Sequence, residues 1–493
     1  MKISIDKSSK VPVYLQIADQ IKAQIISGAL PRSSALPSER ALAQILDVHR
    51  NTVVKAYGEL KSDAWIESRQ GVGYLVASAS TEKESVGESG EGVQMGRVNW
   101  VNEVADKYLD MEKTFDDLFQ RFTDESHFSL GSGIASREVY SSERVAHDIA
   151  GLLTGSGPSQ YFFSPYKGDR FLRQKLASFL GTKGVKASSG EIQILSETNQ
   201  ALDFIVTLLV KPGDSVVMEE PVHPDMYRVM ELAGARILTV PVDEDGMNCD
   251  VLESLLTQTR PRLIFVNSSF HDPTGCILSL GRRKKLVELS SRYRIPIVEE
   301  DAASELVYDG DKLPPIKAFD TTGNVIYIYS FSLTFIPGLS LAFVTGNRDF
   351  VRALSYLVSV RLMASDWMTQ KLLGMYLDDG SYYSSLATFR EIYSGNRDLV
   401  CQKLDALAHL GVRYERPRGG VYVWCRLPDG VDSKHFINRA YNMGVTLIPG
   451  HVFYPYKNGG RDYIRINYSY ESRERLARGM DVLHKALEEE LEE

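Results

Sequence analysis

Apolar side chains recur at Tyr14, Ile17, Ile21 and Ile25, a helical spacing that opens at Pro12 and stops at Gly28. A second amphipathic helix begins at Leu36-Pro37-Ser38-Glu39-Arg40. There Ser38 can accept from the free amides, Glu39 suits the positive helix end, and Leu42, Ala43 and Leu46 turn inward. A third runs from Arg50 and buries Val53, Tyr57 and Leu60. Trp65 to Val76 then reads as two short strands around a tight turn. Three helices and a hairpin predict a winged helix, α+β in class, over residues 1–77.

Residues 78–96 are rich in Ser, Glu and Gly with almost no large apolar side chain, which predicts an acidic linker, with a lead-in reaching residue 124. Beyond it, Ser215–Met218, Leu263–Val266, Ile295–Val298 and Val325–Ile328 are strand-like apolar runs between helical stretches. That alternation predicts a buried, largely parallel sheet. The chain is therefore multidomain. An α/β large domain is expected over 125–390 and a smaller α+β subdomain over 391–493, with no internal repeat.

Charge sharpens this division. The chain carries a net −8, yet residues 1–77 hold ten Lys/Arg against seven Asp/Glu, leaving −11 for the rest. A mildly basic head on an acidic body fits local contact with DNA. Cys249, Cys276, Cys401 and Cys425 lie far apart, with neither disulfide nor zinc spacing. No signal peptide is recognisable, and no run of roughly 18 apolar residues suggests a membrane span. A cytoplasmic protein without membrane partners is expected.

In a helix-turn-helix the second helix enters the major groove, and residues near its N-terminus reach bases and phosphates. Here these are Arg50, able to pair with guanine or phosphate, Asn51 with adenine or phosphate, and Thr52 with phosphate. Arg40, and Arg69 with Gly71 in the wing, would add backbone contacts. The blander alternative is a small domain that contacts only protein. Against it stands the string Pro12-Val13-Tyr14-Leu15-Gln16-Ile17, Leu36-Pro37-Ser38-Glu39-Arg40-Ala41-Leu42-Ala43, Arg50-Asn51-Thr52-Val53 and Gly71-Val72-Gly73, which resembles the GntR-type winged helix over residues 10–77. One departure is His49, where that family usually has Ser.

The body carries a second set of landmarks. They are Gly168 with Leu172-Arg173, Lys211-Pro212-Gly213-Asp214, Asp272-Pro273-Thr274-Gly275, Glu299-Glu300-Asp301, Ser330-Phe331-Ser332 with Pro337-Gly338-Leu339, Gly419-Gly420, Pro449-Gly450, and Arg465-Ile466-Asn467-Tyr468. In this order they resemble fold-type I aminotransferases over roughly residues 125–490, and with the head attached the chain resembles the MocR subfamily of GntR regulators. The resemblance implies pyridoxal phosphate, held as an imine on a Lys, with an acid at its pyridine nitrogen and an Arg on its phosphate. Leu333 stands at the Lys position, Ser340 at the Arg, Glu197 at a phosphate-loop Gly, and Ala302 and Ala303 where a Tyr is expected. The cofactor is therefore expected not to be covalently bound, or to be absent.

Asp301 matches the pyridine-pairing acid, although a one-residue shift would make it Glu300. Arg465 matches the Arg that grips a substrate carboxylate; the alternative is an ion pair closing the small domain. Asp301 and Asp272 could receive an amino group, or serve only as capping and turn residues.

The leading expectation is a regulator that binds operator DNA as a homodimer and senses an amino acid or other carboxylate, with no catalysis. A second keeps pyridoxal phosphate bound noncovalently by Ser330, Ser332 and Asp301. An active aminotransferase and a ligand-free dimerisation scaffold are the remaining alternatives.

Overall fold

The computed structural model describes residues 3, 5, 12–26, 29–31, 34–46, 48–62, 65–69, 73–76, 121, 126–136, 138–155, 165–362, 366–456 and 458–492. The chain divides into two compact units, Met1–Glu112 and Lys113–Glu493. The expected linker over 78–96 lies outside the described residues, as does Gly71.

In the first unit the helices are Val13–Ile26, Glu39–Leu46 and Arg50–Ser62, followed by antiparallel strands Ile66–Arg69 and Gly73–Val76. Each arises where the apolar spacing places it. Ile17, Ile21, Leu42, Ala43, Val53, Tyr57 and Leu60 form one buried cluster. Ser38 Oγ accepts from the Ala41 amide at 3.2 Å, and so caps the second helix as expected. Ala35 bridges to Leu75, which adds a short third edge to the hairpin.

The second unit centres on an eight-stranded sheet. Its order is Ile192–Leu195, Ala342–Thr345, Val325–Ser330, Ile297–Asp301, Ile264–Asn267, Ser215–Glu220, Arg236–Asp243, Gly246–Met247. The pairings from Val325–Ser330 through to Arg236–Asp243 are parallel. Ala342–Thr345 runs antiparallel to both its neighbours. Ile297–Asp301 and Val325–Ser330 are buried along their whole length, because helices cover both faces. Helices Thr198–Leu209 and Arg348–Arg361 contribute to one apolar cluster, and Cys249–Gln258 with Leu280–Tyr293 to another. No described helix is long and apolar enough to cross a membrane.

A smaller antiparallel sheet, ordered Arg413–Tyr414, Tyr422–Arg426, Tyr463–Asn467 and Ile448–Pro449, packs with helices Ser433–Asn442 and Arg473–Leu491. The boundary expected at residue 390 falls inside the continuous helix Ser381–Asp405. Arg390 Nε donates to Glu305 O at 2.6 Å on the large-domain side, while Asn396 Nδ2 donates to Tyr468 O at 3.1 Å on the other. One rigid helix thus serves both parts. Phe128–Ser129, expected with the large domain, pairs instead with Val445–Thr446.

The turn leading into Val325–Ser330 is organised by one carboxylate. Asp320 accepts from the amides of Thr322, Gly323, Asn324 and Val325 and from Lys317 Nζ at 2.9 Å, with its side chain fully covered. Burial pushes its pKa up, but the bonds from Lys317 and the amides outweigh that and hold it below the ordinary value. Asp320→Ala should cost about 3 kcal/mol in denaturant unfolding, because it leaves several donors without an acceptor. Since the folded pKa is depressed, this contribution is full above the unfolded value of about 4 and is lost as pH falls below it. Unfolding titrations of wild type and variant should therefore converge as the pH falls below about 4.

Candidate functional site

Parallel sheets present ligands at the carboxyl ends of their strands, where the loops diverge. Here Asn267 ends one strand, Glu300 lies next to the end of its neighbour, and Ser332 and Leu333 follow Val325–Ser330. These residues line a cavity of about 150 Å³ together with Gly133, Thr198, Val222, His223, Met226, Phe265, Ser269, Phe270, Asp272, Ala302, Ala303 and Tyr422. Neither Lys nor Arg is among them. Phe270 is held by the glycine pair expected from the sequence. A Cβ on Gly419 would collide with its ring and with Leu306 O, and Gly420 takes φ +72° beside it.

Arg465 projects from Tyr463–Asn467 and is 2% exposed. Its Nη1 donates to both Asp272 oxygens at 2.7 Å, and its Nη2 to Gly131 O at 2.9 Å. The guanidinium lies 4.3 Å from the Tyr422 ring centroid. Burial raises the Asp272 pKa, but Arg465 and then His223 outweigh it and keep the carboxyl ionised. Of the two roles open to Arg465, this geometry is the ion pair between the small subdomain and the large domain.

Asp301 requires correction as a ligand contact. It is fully buried and accepts from Ser304 N at 2.9 Å, Ser304 Oγ at 2.6 Å and Tyr327 OH at 2.5 Å, with Lys183 Nζ at 3.8 Å. Successive side chains on a strand point to opposite faces, so Glu300 reaches the cavity and Asp301 does not. Glu300 is 7% exposed, and one of its oxygens accepts from Asn267 Nδ2. Burial, with the charges of Asp301 and Asp272, pushes its pKa up to about 8. Behind it, Glu219 and His271 are buried 3.6 Å apart. Burial pushes Glu219 up to about 8 and His271 down to about 4.

Ser332 is on the cavity wall, but Ser330 is not. Ser330 Oγ donates to Ser332 Oγ at 3.1 Å and accepts from Ser332 N at 3.2 Å, which closes a local turn. Leu333 is 5% exposed and faces the cavity while joining the large apolar core. Glu197 is exposed at the N-cap of Thr198–Leu209 and makes no side-chain capping bond. Sequence reasoning missed Asn267, His223, Tyr422 and the phenylalanines. Asn267 was findable as the residue after the apolar run Leu263–Val266, whereas Tyr422 and His223 carry no local signal.

In the head, Arg40, Arg50 and Asn51 are exposed and Thr52 is half-buried. Arg50 Nη2 donates to Glu39 Oε2 at 2.7 Å, and Tyr74 OH donates to Glu39 Oε1 at 3.0 Å. His49 Nδ1 accepts from the Asn51 amide at 3.2 Å, so this departure from Ser still caps the helix. Arg69 lies on the first wing strand.

Residues 13–76 match the model of bacterial regulatory proteins of the gntR family, and residues 127–483 match that of class I and II aminotransferases. The uncharacterized HTH-type transcriptional regulator YdfD of Bacillus subtilis is 28% identical over 481 residues, spanning 96% of each chain. The probable rhizopine catabolism regulatory protein MocR of Rhizobium meliloti is 28% identical, covering 90% of this chain and 88% of its own. Among solved structures, the kynurenine aminotransferase of Pyrococcus horikoshii superposes with a TM-score of 0.75 at 27% identity, over 80% of this chain and 98% of its own. The chain belongs to the class I and II aminotransferase family and carries a gntR-family head, the arrangement of the MocR-type regulators.

Proposed function

We propose that this protein is a DNA-binding transcription regulator whose aminotransferase-like body senses a small molecule without forming an imine to pyridoxal phosphate. The observation that carries this reading is the cavity wall, where Leu333 stands and no amine-bearing side chain is present among the described residues. The donor set does not fit the cofactor. A phosphate favours a helix N-terminus, but Thr198–Leu209 has the exposed carboxylate of Glu197 there, and neither Lys nor Arg lines the cavity to offset it. Ala302 offers no hydroxyl, and Asp301 is turned away. A ligand carboxylate, in turn, would have to displace Asp272 from Arg465.

Arg40, Arg50, Asn51, Thr52, Arg69 and Gly71 form the proposed DNA-reading set, with the chain acting as a cytoplasmic homodimer that pairs two half-sites. In the free head Glu39 holds Arg50 at the start of its helix, so DNA contact exchanges that carboxylate for a base or phosphate. Effector binding changes regulation by favouring one arrangement of the heads over another.

Pyridoxal phosphate added to the purified protein should give no imine absorbance band between about 320 and 430 nm and no borohydride-fixed adduct. A fixed adduct on any Lys would return the body to cofactor chemistry. On a duplex selected from a random pool, Arg50→Ala and Asn51→Ala should each weaken binding by ~1–3 kcal/mol in fluorescence anisotropy. Unchanged affinity in both would remove these residues from the interface. Asp272→Ala should lower unfolding stability by ~3–5 kcal/mol, since it strands the buried Arg465 charge. Chemical denaturation of the two proteins measures the difference.

A further inference from the structure

Resting on that reading, we propose that the cavity takes a small organic cation, a compound bearing one ammonium group, with Glu300 as its counter-ion and Asn267 positioning that carboxyl. Three features of the wall point this way. The first is charge. Neither Lys nor Arg lines the cavity, its one imidazole, His223, lies 3.9 Å from Asp272, and the nearest guanidinium, Arg465, has both terminal nitrogens committed to Asp272 and Gly131. Only its Nε lacks an acceptor, and Arg465 is not part of the wall. An anion entering the cavity therefore meets the Glu300 and Asp272 carboxyls with no ammonium or guanidinium on the described wall to offset them.

The second feature is unmet hydrogen-bonding capacity. Glu300 is more than nine-tenths buried, and Asn267 occupies one of its oxygens. The other has no side-chain or backbone partner among the described residues. Asn267 Oδ1 is likewise a buried acceptor without a donor. An ammonium group brings three N–H donors and no acceptor, which is the complement of this pair. The third feature is shape. Phe265, Phe270, Val222 and Met226 supply apolar walls for the organic part, and a cavity near 150 Å³ is about the size that admits a benzene-sized guest.

The titration of Glu300 adds a signature that ligand chemistry alone would not show. With its pKa pushed up to about 8, Glu300 is neutral at pH 7, and an ammonium ligand pairs with it by expelling its proton. The charged and titratable groups around it are Asp272 with Arg465, His223 and Tyr422 across the cavity, Glu219 two strands away in the sheet, and Glu299 and Asp301 beside it on its own strand. Asp272 is kept ionised by Arg465. Glu219 binds the Asn267 amide and stays off the cavity wall. Proton release on amine binding therefore comes from Glu300, and affinity rises with pH until that group is ionised.

The test titrates the full chain calorimetrically with propylamine, benzylamine, propionate and benzoate at about pH 6, 7 and 8, in buffers of different ionisation enthalpy. The amines should bind and the carboxylates should not. Amine affinity should rise about tenfold per pH unit below about pH 8, with close to one proton released per amine bound. Glu300→Gln should weaken amine binding at least ~tenfold at about pH 8. The wild-type pH dependence stands by itself if that variant does not fold. Carboxylate binding without amine binding, amine affinity independent of pH, or undiminished amine binding by Glu300→Gln would each overturn the inference, as would silence from all four compounds. The underlying reading fails separately, through a borohydride-fixed pyridoxal adduct.

Discussion

A carboxylate and a guanidinium taken out of water are each costly alone, and Asp272 and Arg465 meet that constraint only by reaching each other. Asp272 stands in the loop beyond strand Ile264–Asn267, and Arg465 on Tyr463–Asn467, one of the two inner strands of the smaller sheet. Two bonds of 2.7 Å join them. Tyr422, on the adjacent strand, packs against the guanidinium and also lines the cavity, while His223 Nε2 approaches Asp272 at 3.9 Å. The wall of the cavity is thus assembled around one ion pair. Because that pair is closed on itself, the described wall offers no lysine or arginine to an anionic ligand.

The remaining acids are sorted by strand parity. Glu299 is consumed structurally, accepting from Ser268 Oγ and from the amides of Ile316 and Lys317. Asp301 is consumed by Ser304 and Tyr327, with Lys183 and Glu305 extending the network. Glu300 alone of the three turns into the cavity, where burial makes its proton hard to lose. The described wall thus gathers the Glu300 carboxyl, the Asn267 amide, the Asp272 carboxylate and aromatic rings, with Leu333 beside them.

Much of the head was legible because its elements are set locally. The spacing of Ile17, Ile21, Val53, Tyr57 and Leu60, with a capping Ser38, marks where three helices begin to within a residue or two. His49 was visible as a departure, but its capping bond to the Asn51 amide was not, since that depends on side-chain geometry. In the body, the four apolar runs became buried parallel strands. Strand Ala342–Thr345 and its antiparallel direction carry no local mark. The division expected at residue 390 lies within a helix that continues from one subdomain into the other, which local spacing does not reveal.

By itself, then, the amino-acid sequence determined the elements of the head, the four apolar runs of the body, and that a winged-helix head precedes an aminotransferase-like body. Each of these follows from side-chain type and near-neighbour spacing. Only the tertiary structure decided the roles of the acids and of Arg465. Asp272 and Arg465 are 193 residues apart in the chain, and Glu300 and Asp301 are adjacent in it yet face opposite ways. Whether a charge is free, paired or protonated depends on what packs against it across the fold, and sequence order does not encode that distance.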